Sequence, residues 1–136
     1  MERITERLIV ARKALSTLQE LTNKPSLSVV ERDAAIQRFE YTFEATWKSA
    51  QQFLNEFDGI IANSPKSVVR ACRLSGLFDD VNAQTALQMC EARNNTVHTY
   101  NEKLAMAIYN QIKTYVILFE VWITAMEQKL KGESLK

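Results

Sequence analysis

Glycine and proline are scarce in this chain, three and two residues among 136, and they fall between apolar-periodic segments rather than inside them. A fold built from strands would need turn signals every 8 to 12 residues or so, so a β-rich architecture is excluded. Histidine occurs once, at His98, which rules out metal centres assembled from several imidazoles. The two cysteines, Cys72 and Cys90, form no C-x-x-C and have no neighbouring histidine, so neither a zinc site nor a redox pair is indicated, and both read as small core residues. Charge of one sign is missing too. Seventeen basic residues stand against sixteen acidic ones, and a net charge of +1 sets up no long-range field to gather nucleic acid. Any contact with RNA or a nucleotide must be local.

Other absences exclude reaction classes. Nucleotidyl transfer needs a Gly-Ser phosphate turn and a D-x-D pair to hold magnesium, and neither occurs here. There is no P-loop, no G-x-G-x-x-G and no serine-hydrolase elbow. Asp79-Asp80 is the only adjacent carboxylate pair and reads as a helix-start signal. No cofactor and no metal are called for. The most apolar window, Tyr115 to Ala125, is interrupted by Glu120 and falls short of the roughly 20 residues that cross a bilayer, so no membrane span is expected. The N-terminal run Met1 to Arg7 is charged and lacks a secretory signal's apolar stretch, which points to a cytoplasmic protein.

What is present is helical periodicity. Ile4, Leu8, Ala11, Leu15 and Leu18 recur at spacings of four and three, and Thr22-Asn23-Lys24-Pro25 ends that stripe. Ile36, Phe39, Phe43, Trp47, Ala50, Leu54 and Phe57 make a long aromatic-heavy second stripe ending at Asp58-Gly59. Ser64 before Pro65 reads as an N-cap, and Gly76 closes a short helix through Val68, Val69 and Cys72. A fourth helix is expected from about Asn82, with Ala83, Ala86, Leu87 and Cys90 inward. Thr99 and Glu102 read as a capping box opening the last helix, which carries Leu104, Ile108, Ile112, Tyr115, Phe119, Trp122, Met126 and Leu130. The expectation is an all-α, up-and-down antiparallel four-helix bundle with one additional short helix: a single domain over 1–131 and a polar tail over 132–136. Val116, Ile117 and Ile123 lie off the last helix's main stripe. They imply either a second packing surface, a homodimer through the fourth and last helices, or an unusually well-buried central helix.

The segment between those two helices, Glu91 to Glu102, carries the chemistry. Two asparagines and a threonine are poor helix formers, so Arg93, Asn94, His98 and Tyr100 are expected at a helix break where side chains can meet a ligand. On an ideal helix, positions five apart point about 140° away from each other, against about 40° for Asn94 and His98. Arg93 and His98 therefore converge only if the helix unwinds near Thr96 or if two chains bring their motifs together. The bland alternative is that His98 closes a helix against its terminal carbonyls while Arg93 pairs with Glu91 or Glu102.

The run R-N-N-T-V-H-T-Y, Arg93 to Tyr100, resembles the motif of the HEPN domains, and within them the small prokaryotic members called nucleotidyltransferase substrate-binding proteins or HepT-type toxins. The resemblance extends to Phe39-Glu40-Tyr41-Thr42-Phe43-Glu44 and to Ser64-Pro65-Lys66 and covers nearly the whole chain. It implies a two-gene module in which the HEPN chain is an endoribonuclease neutralised by a separately encoded minimal nucleotidyltransferase. It also implies a homodimer that brings two motifs to one site, with no metal needed. Arg93, Asn94 and His98 would be catalytic, and Tyr100, the tyrosine of H-x-Y, would accept AMP from the partner. The alternative within the same family is a non-catalytic subunit that presents a nucleotide or other substrate to the transferase.

Overall fold

The computed structural model describes residues 2–134, with side chains for 3–132. Five α-helices follow one another: α1 (Glu2–Thr22), α2 (Val29–Asp58), α3 (Pro65–Leu74), α4 (Asp80–Asn95) and α5 (Glu102–Ser134), with a 3-10 turn (Thr96–His98) between the last two. The four long helices form an antiparallel up-and-down bundle to which the short α3 is added, as the periodicity predicts. α1 packs on α2 and α5, α2 also meets α3 and α5, and α4 lies against α3 and α5. The helical backbone continues to Ser134, past residue 132 where the tail is expected to begin.

Local chemistry sets the helix ends. Ser28 caps α2, its Oγ accepting from the Glu31 N–H at 3.1 Å while Glu31 Oε1 accepts from the Ser28 N–H at 3.0 Å. The Lys24 ammonium and this backbone donor hold the Glu31 carboxyl down at about 2. Gly59 ends α2 in the left-handed region (φ 65°), where a side chain would be strained. Ser64 caps α3 with Pro65 at its first position. Asp79 caps α4 by accepting from the Asn82 N–H at 2.8 Å, so that helix begins at Asp80, two residues earlier than expected.

The cap of α5 differs from the expectation. Thr99 donates its hydroxyl back to the Thr96 carbonyl (3.1 Å), and the chain makes one more turn before Asn101 Oδ1 accepts from the Leu104 N–H (3.2 Å). Glu102 cannot complete a capping box because Arg32 takes its carboxylate.

The core is aromatic at its centre. Phe39 is fully buried, with its ring 5.5 Å from Tyr115, 6.0 Å from Phe119 and 6.4 Å from Phe43, and Trp122 lies 5.3 Å from Phe78. Fully burying one such side chain contributes about 1.5–3 kcal/mol. Ile123 is also fully buried, because α5 packs against α1 and α2 as well as α4, so a central helix needs two apolar faces. Val116 is half-buried, whereas Ile117 and Val121 stay exposed. Cys72 and Cys90 are free and buried, and burial pushes their thiols up to about 12 and about 11, which leaves them unreactive.

Two polar clamps fix the helices' register. Arg12 on α1 reaches across to Glu120, Thr124 and Glu127 on α5, one helix face read at spacings of four and three. The buried Arg32 on α2 grips Glu102 at the start of α5 with two guanidinium nitrogens, and Asp33 with two bonds of 2.8 and 3.1 Å.

The Arg32 guanidinium holds the Glu102 carboxyl below the usual glutamate value. A carboxylate depressed in this way stabilises the fold fully above its unfolded value, about 4.3, and loses that contribution as pH falls through its folded value. Glu102→Gln is therefore expected to lower the urea midpoint at neutral pH and to converge on wild type as pH falls below the folded value of Glu102. A gap that stays the same at every pH would show that the carboxylate's charge is not what Arg32 engages.

Candidate functional site

The site is built where α4 gives way. The Thr96 hydroxyl, buried at the helix end, donates to the Arg93 carbonyl at 2.7 Å and accepts from Arg93 Nη1 at 3.3 Å. That geometry satisfies an end carbonyl of α4, turns the chain into the 3-10 turn, and tethers the Arg93 guanidinium at Nη1. Helix geometry alone would send Arg93 and His98 apart; of the two routes to convergence, unwinding near Thr96 or a second chain, the structure has the unwinding, as a 3-10 turn over Thr96–His98.

Arg93 does not pair with Glu91 or Glu102. Those carboxylates belong to Lys66 and Arg32. Arg93 instead faces α2, with Nε 3.6 Å from Glu44 Oε1. That separation is an ion pair and not a hydrogen bond, so Nε remains buried without a hydrogen-bond partner. Glu44 itself is a junction, also 3.8 Å from Lys48 Nζ and accepting from the Trp47 indole at 3.3 Å.

Arg93 forms one wall of a pocket of about 690 Å³ between the first turns of α1 and the middle of α2, together with Arg7, Val10, Tyr41, Glu44 and Lys48. Asn94, one position on, lies in a different and smaller cavity of about 280 Å³ beside Phe43, Ser64, Lys66 and Cys90. Its side chain is exposed.

His98 ends the 3-10 turn and is exposed. Its Nδ1 lies 3.3 Å from the Tyr100 hydroxyl, the two rings meet edge to face at 82°, and Tyr100 is 84% exposed. If the tyrosine oxygen accepts from Nδ1–H, Nε2 is left with a free lone pair facing outward. No hydrogen bond or ion pair among the described residues joins Arg93 to His98. Within one chain the motif is therefore divided: Arg93 with the pocket, and His98 with Tyr100 on the open surface.

Sequence reasoning missed Glu44, Arg7 and Tyr41 as neighbours of this region. Tyr41 was partly legible, since it sits two positions from both Phe39 and Phe43, about 200° around the helix from the core stripe. The pairing of α1 with α2 that brings Arg7 alongside it has no local signal. Among the described residues no three His, Cys, Asp or Glu side chains are gathered as a metal site needs, and no helix is long and apolar enough to cross a membrane.

Comparison with known proteins extends this picture. A family model described as nucleotidyltransferase substrate binding protein like matches residues 6–128. A curated relative, the probable ribonuclease HepT of Haemophilus influenzae, is 31% identical over 99 residues. The match spans 70% of this chain but 66% of that relative's length, just under two thirds. A crystal structure of a Thermus thermophilus protein is 51% identical, with a TM-score of 0.83, over 85% of this chain and 98% of its own. The HEPN toxin of Shewanella oneidensis, solved in tri-AMPylated form in complex with MNT antitoxin, shares the fold at a TM-score of 0.75 and 16% identity, covering 92% of this chain and 96% of its own.

Thr96→Val keeps the side chain's shape and removes both hydrogen bonds. The expected cost is about 1–3 kcal/mol for partners left unsatisfied, read as a lower urea midpoint at constant m-value. An unchanged midpoint would show that the hydroxyl does not hold the break.

Proposed function

The chain belongs to the family described as nucleotidyltransferase substrate binding protein like, and from that premise we propose that it is the HEPN subunit of a two-component module: an endoribonuclease that works without metal and is inhibited by a cognate minimal nucleotidyltransferase. The observation that carries the reading is the intact set of Arg93, Asn94, His98 and Tyr100 displayed at the break between α4 and α5. The module reading places the protein in the cytoplasm, as a single domain over 1–131 with a tail over 132–136.

The chemistry follows from the residue types. His98 Nε2 takes the proton of a ribose 2′-hydroxyl, and the 2′-oxygen attacks the adjacent phosphorus. The P–O5′ bond then breaks, and the departing 5′-oxygen takes up a proton, leaving a 2′,3′-cyclic phosphate and a 5′-hydroxyl. Arg93 meets the charge on the pentavalent phosphate through its guanidinium fork, and Asn94 adds a donor or orients the histidine. In an in-line displacement the entering 2′-oxygen and the departing 5′-oxygen stand on opposite sides of the phosphorus, so one imidazole does not reach both. A homodimer supplies the second, with His98 of the partner subunit giving its proton to the 5′-oxygen. The divided motif within one chain supports a two-chain site.

Tyr100 supports the regulatory half of the reading. Its hydroxyl is exposed, open to a modifying enzyme, and touches His98 Nδ1. Addition of AMP to that oxygen would place a bulky anion against the imidazole and close the site.

A second reading has its own support. Among the described residues no hydrogen bond or ion pair joins Arg93 to His98, and the matching family is described by substrate binding, so the protein would present a nucleotide or other substrate to the transferase without cleaving anything.

Incubation with total RNA and tRNA in excess EDTA separates the two. Wild type is expected to release fragments ending in 2′,3′-cyclic phosphate, and His98→Ala to be slower by at least about 100-fold. Cleavage that survives the substitution ends the ribonuclease reading. No cleavage by either protein favours the presenting subunit. Separately, sedimentation at micromolar concentration is expected to show a dimer, and a monomer would remove the shared site.

A further inference from the structure

The pocket beside Arg93 holds features that the cleavage chemistry does not use. Arg7, on the first turns of α1, is half-buried, makes no hydrogen bond or ion pair among the described residues, and has a buried Nε without a partner. Arg93 Nε, on the same pocket, is likewise unpartnered. Both Nε atoms are closed off from the cavity, so an anion seated there would meet the outer nitrogens, Arg7 Nη1 and Nη2 and Arg93 Nη2, which have no hydrogen-bond partner among the described residues and are not buried. Tyr41 lies on the same pocket, 56% exposed, an aromatic ring that the core does not use.

We infer that this pocket seats one nucleotide of a single-stranded RNA, its base stacked on Tyr41 and its phosphate held between Arg7 and Arg93. The inference rests on the RNA reading above for the ligand's identity. The volume of about 690 Å³ falls within the roughly 300–1,000 Å³ of small-molecule sites.

The charges on the pocket select for a nucleotide over a bare anion. Arg3, Arg7, Lys48 and Arg93 face Glu6, Glu40 and Glu44, and one net positive charge among seven ionised groups gathers little by field alone. Affinity must come from a contact made at short range, and base stacking on an exposed tyrosine is such a contact. Glu44 has a positioning role. It lies 3.6 Å from Arg93 Nε without closing a hydrogen bond, and with Nη1 donating to Thr96 the nitrogen left without an acceptor is Nη2.

The test uses binding rather than turnover. A fluorescein-labelled 2′-O-methyl hexanucleotide of mixed sequence has no free 2′-hydroxyl and cannot be cleaved. Fluorescence anisotropy is expected to show it bound by wild type and by His98→Ala. Tyr41→Ala should bind about 10-fold more weakly, with recovery in Tyr41→Phe. Arg7→Met should bind more weakly and lower the salt dependence by about 0.7 in log–log slope, as expected for one phosphate contact on a single strand. Circular dichroism melts check that each variant folds.

Failure of the ribonuclease reading is distinguishable, because His98→Ala could cleave RNA undiminished while Tyr41→Ala still lost binding. Equal oligonucleotide affinity in wild type and Tyr41→Ala overturns the inference, as does an absence of binding by wild type. Unchanged RNA binding accompanied by weaker association with the purified nucleotidyltransferase would also overturn it and assign the pocket to a protein contact.

Discussion

The hydroxyl of Thr96 is the constraint on which the rest of the site depends. Without a break, a helix running on from α4 would carry Arg93 and His98 about 140° apart on its surface, and no rigid arrangement of one chain could put both on one ligand. Thr96 is buried where the helix stops. By giving its proton to the Arg93 carbonyl and its lone pair to the Arg93 guanidinium, it makes termination of the helix and placement of the arginine a single event. The two side chains then separate into different environments: a half-buried arginine in an ion pair, and an exposed histidine beside an exposed tyrosine.

α2 is the common floor beneath that arrangement. Its Arg32 takes Glu102 and so anchors the first turn of α5, while Glu44, about three turns further on, steadies Arg93 at the end of α4. The connecting chain from Thr96 to Asn101 is thus held at both ends by one helix. That helix is in turn fixed by the aromatic cluster of Phe39, Phe43, Tyr115 and Phe119. Packing in the core and position at the site are coupled because the same helix serves both. Alternating faces make this possible: Phe39 and Phe43 point inward, and Glu40, Tyr41 and Glu44 line the outer pocket.

What the sequence disclosed follows the range of the forces involved. Apolar stripes, the Ser64-Pro65 start and the Asp79-Asp80 helix-start signal are local, each determined within a few residues, although α4 begins two residues before the expected Asn82, and the helix breaks where two asparagines and a threonine weaken it. The cap of α5 was misread because a local rule lost to a distant one. Thr99 and Glu102 have capping-box spacing, but Glu102 is engaged by Arg32, 70 residues away, and Asn101 takes the role. The partners of Arg93 were misassigned for the same reason: nearby Glu91 and Glu102 are occupied, and Glu44 arrives from another helix. Ile123 illustrates the reverse case. Its off-stripe position was legible, but whether it faced a second chain or the chain's own core depended on α5 lying centrally in the bundle, which no periodicity along α5 alone can state.

The near-zero net charge constrains mechanism as much as it constrains recognition. A strongly basic nuclease gathers RNA from a distance and can tolerate a loosely organised site. Here seventeen cations are offset by sixteen anions, and several of the arginines are engaged in keeping helices in register, Arg12 with α5, Arg32 with the α5 start, and Arg38 with the Thr17 carbonyl. Arg7 and Arg93 stand apart in having a buried guanidinium nitrogen with no acceptor. Where several arginines are committed to helix register, a guanidinium with outer nitrogens left unbonded is where an anion would find the least competition, and Arg7 and Arg93 both line the pocket that touches the helix break.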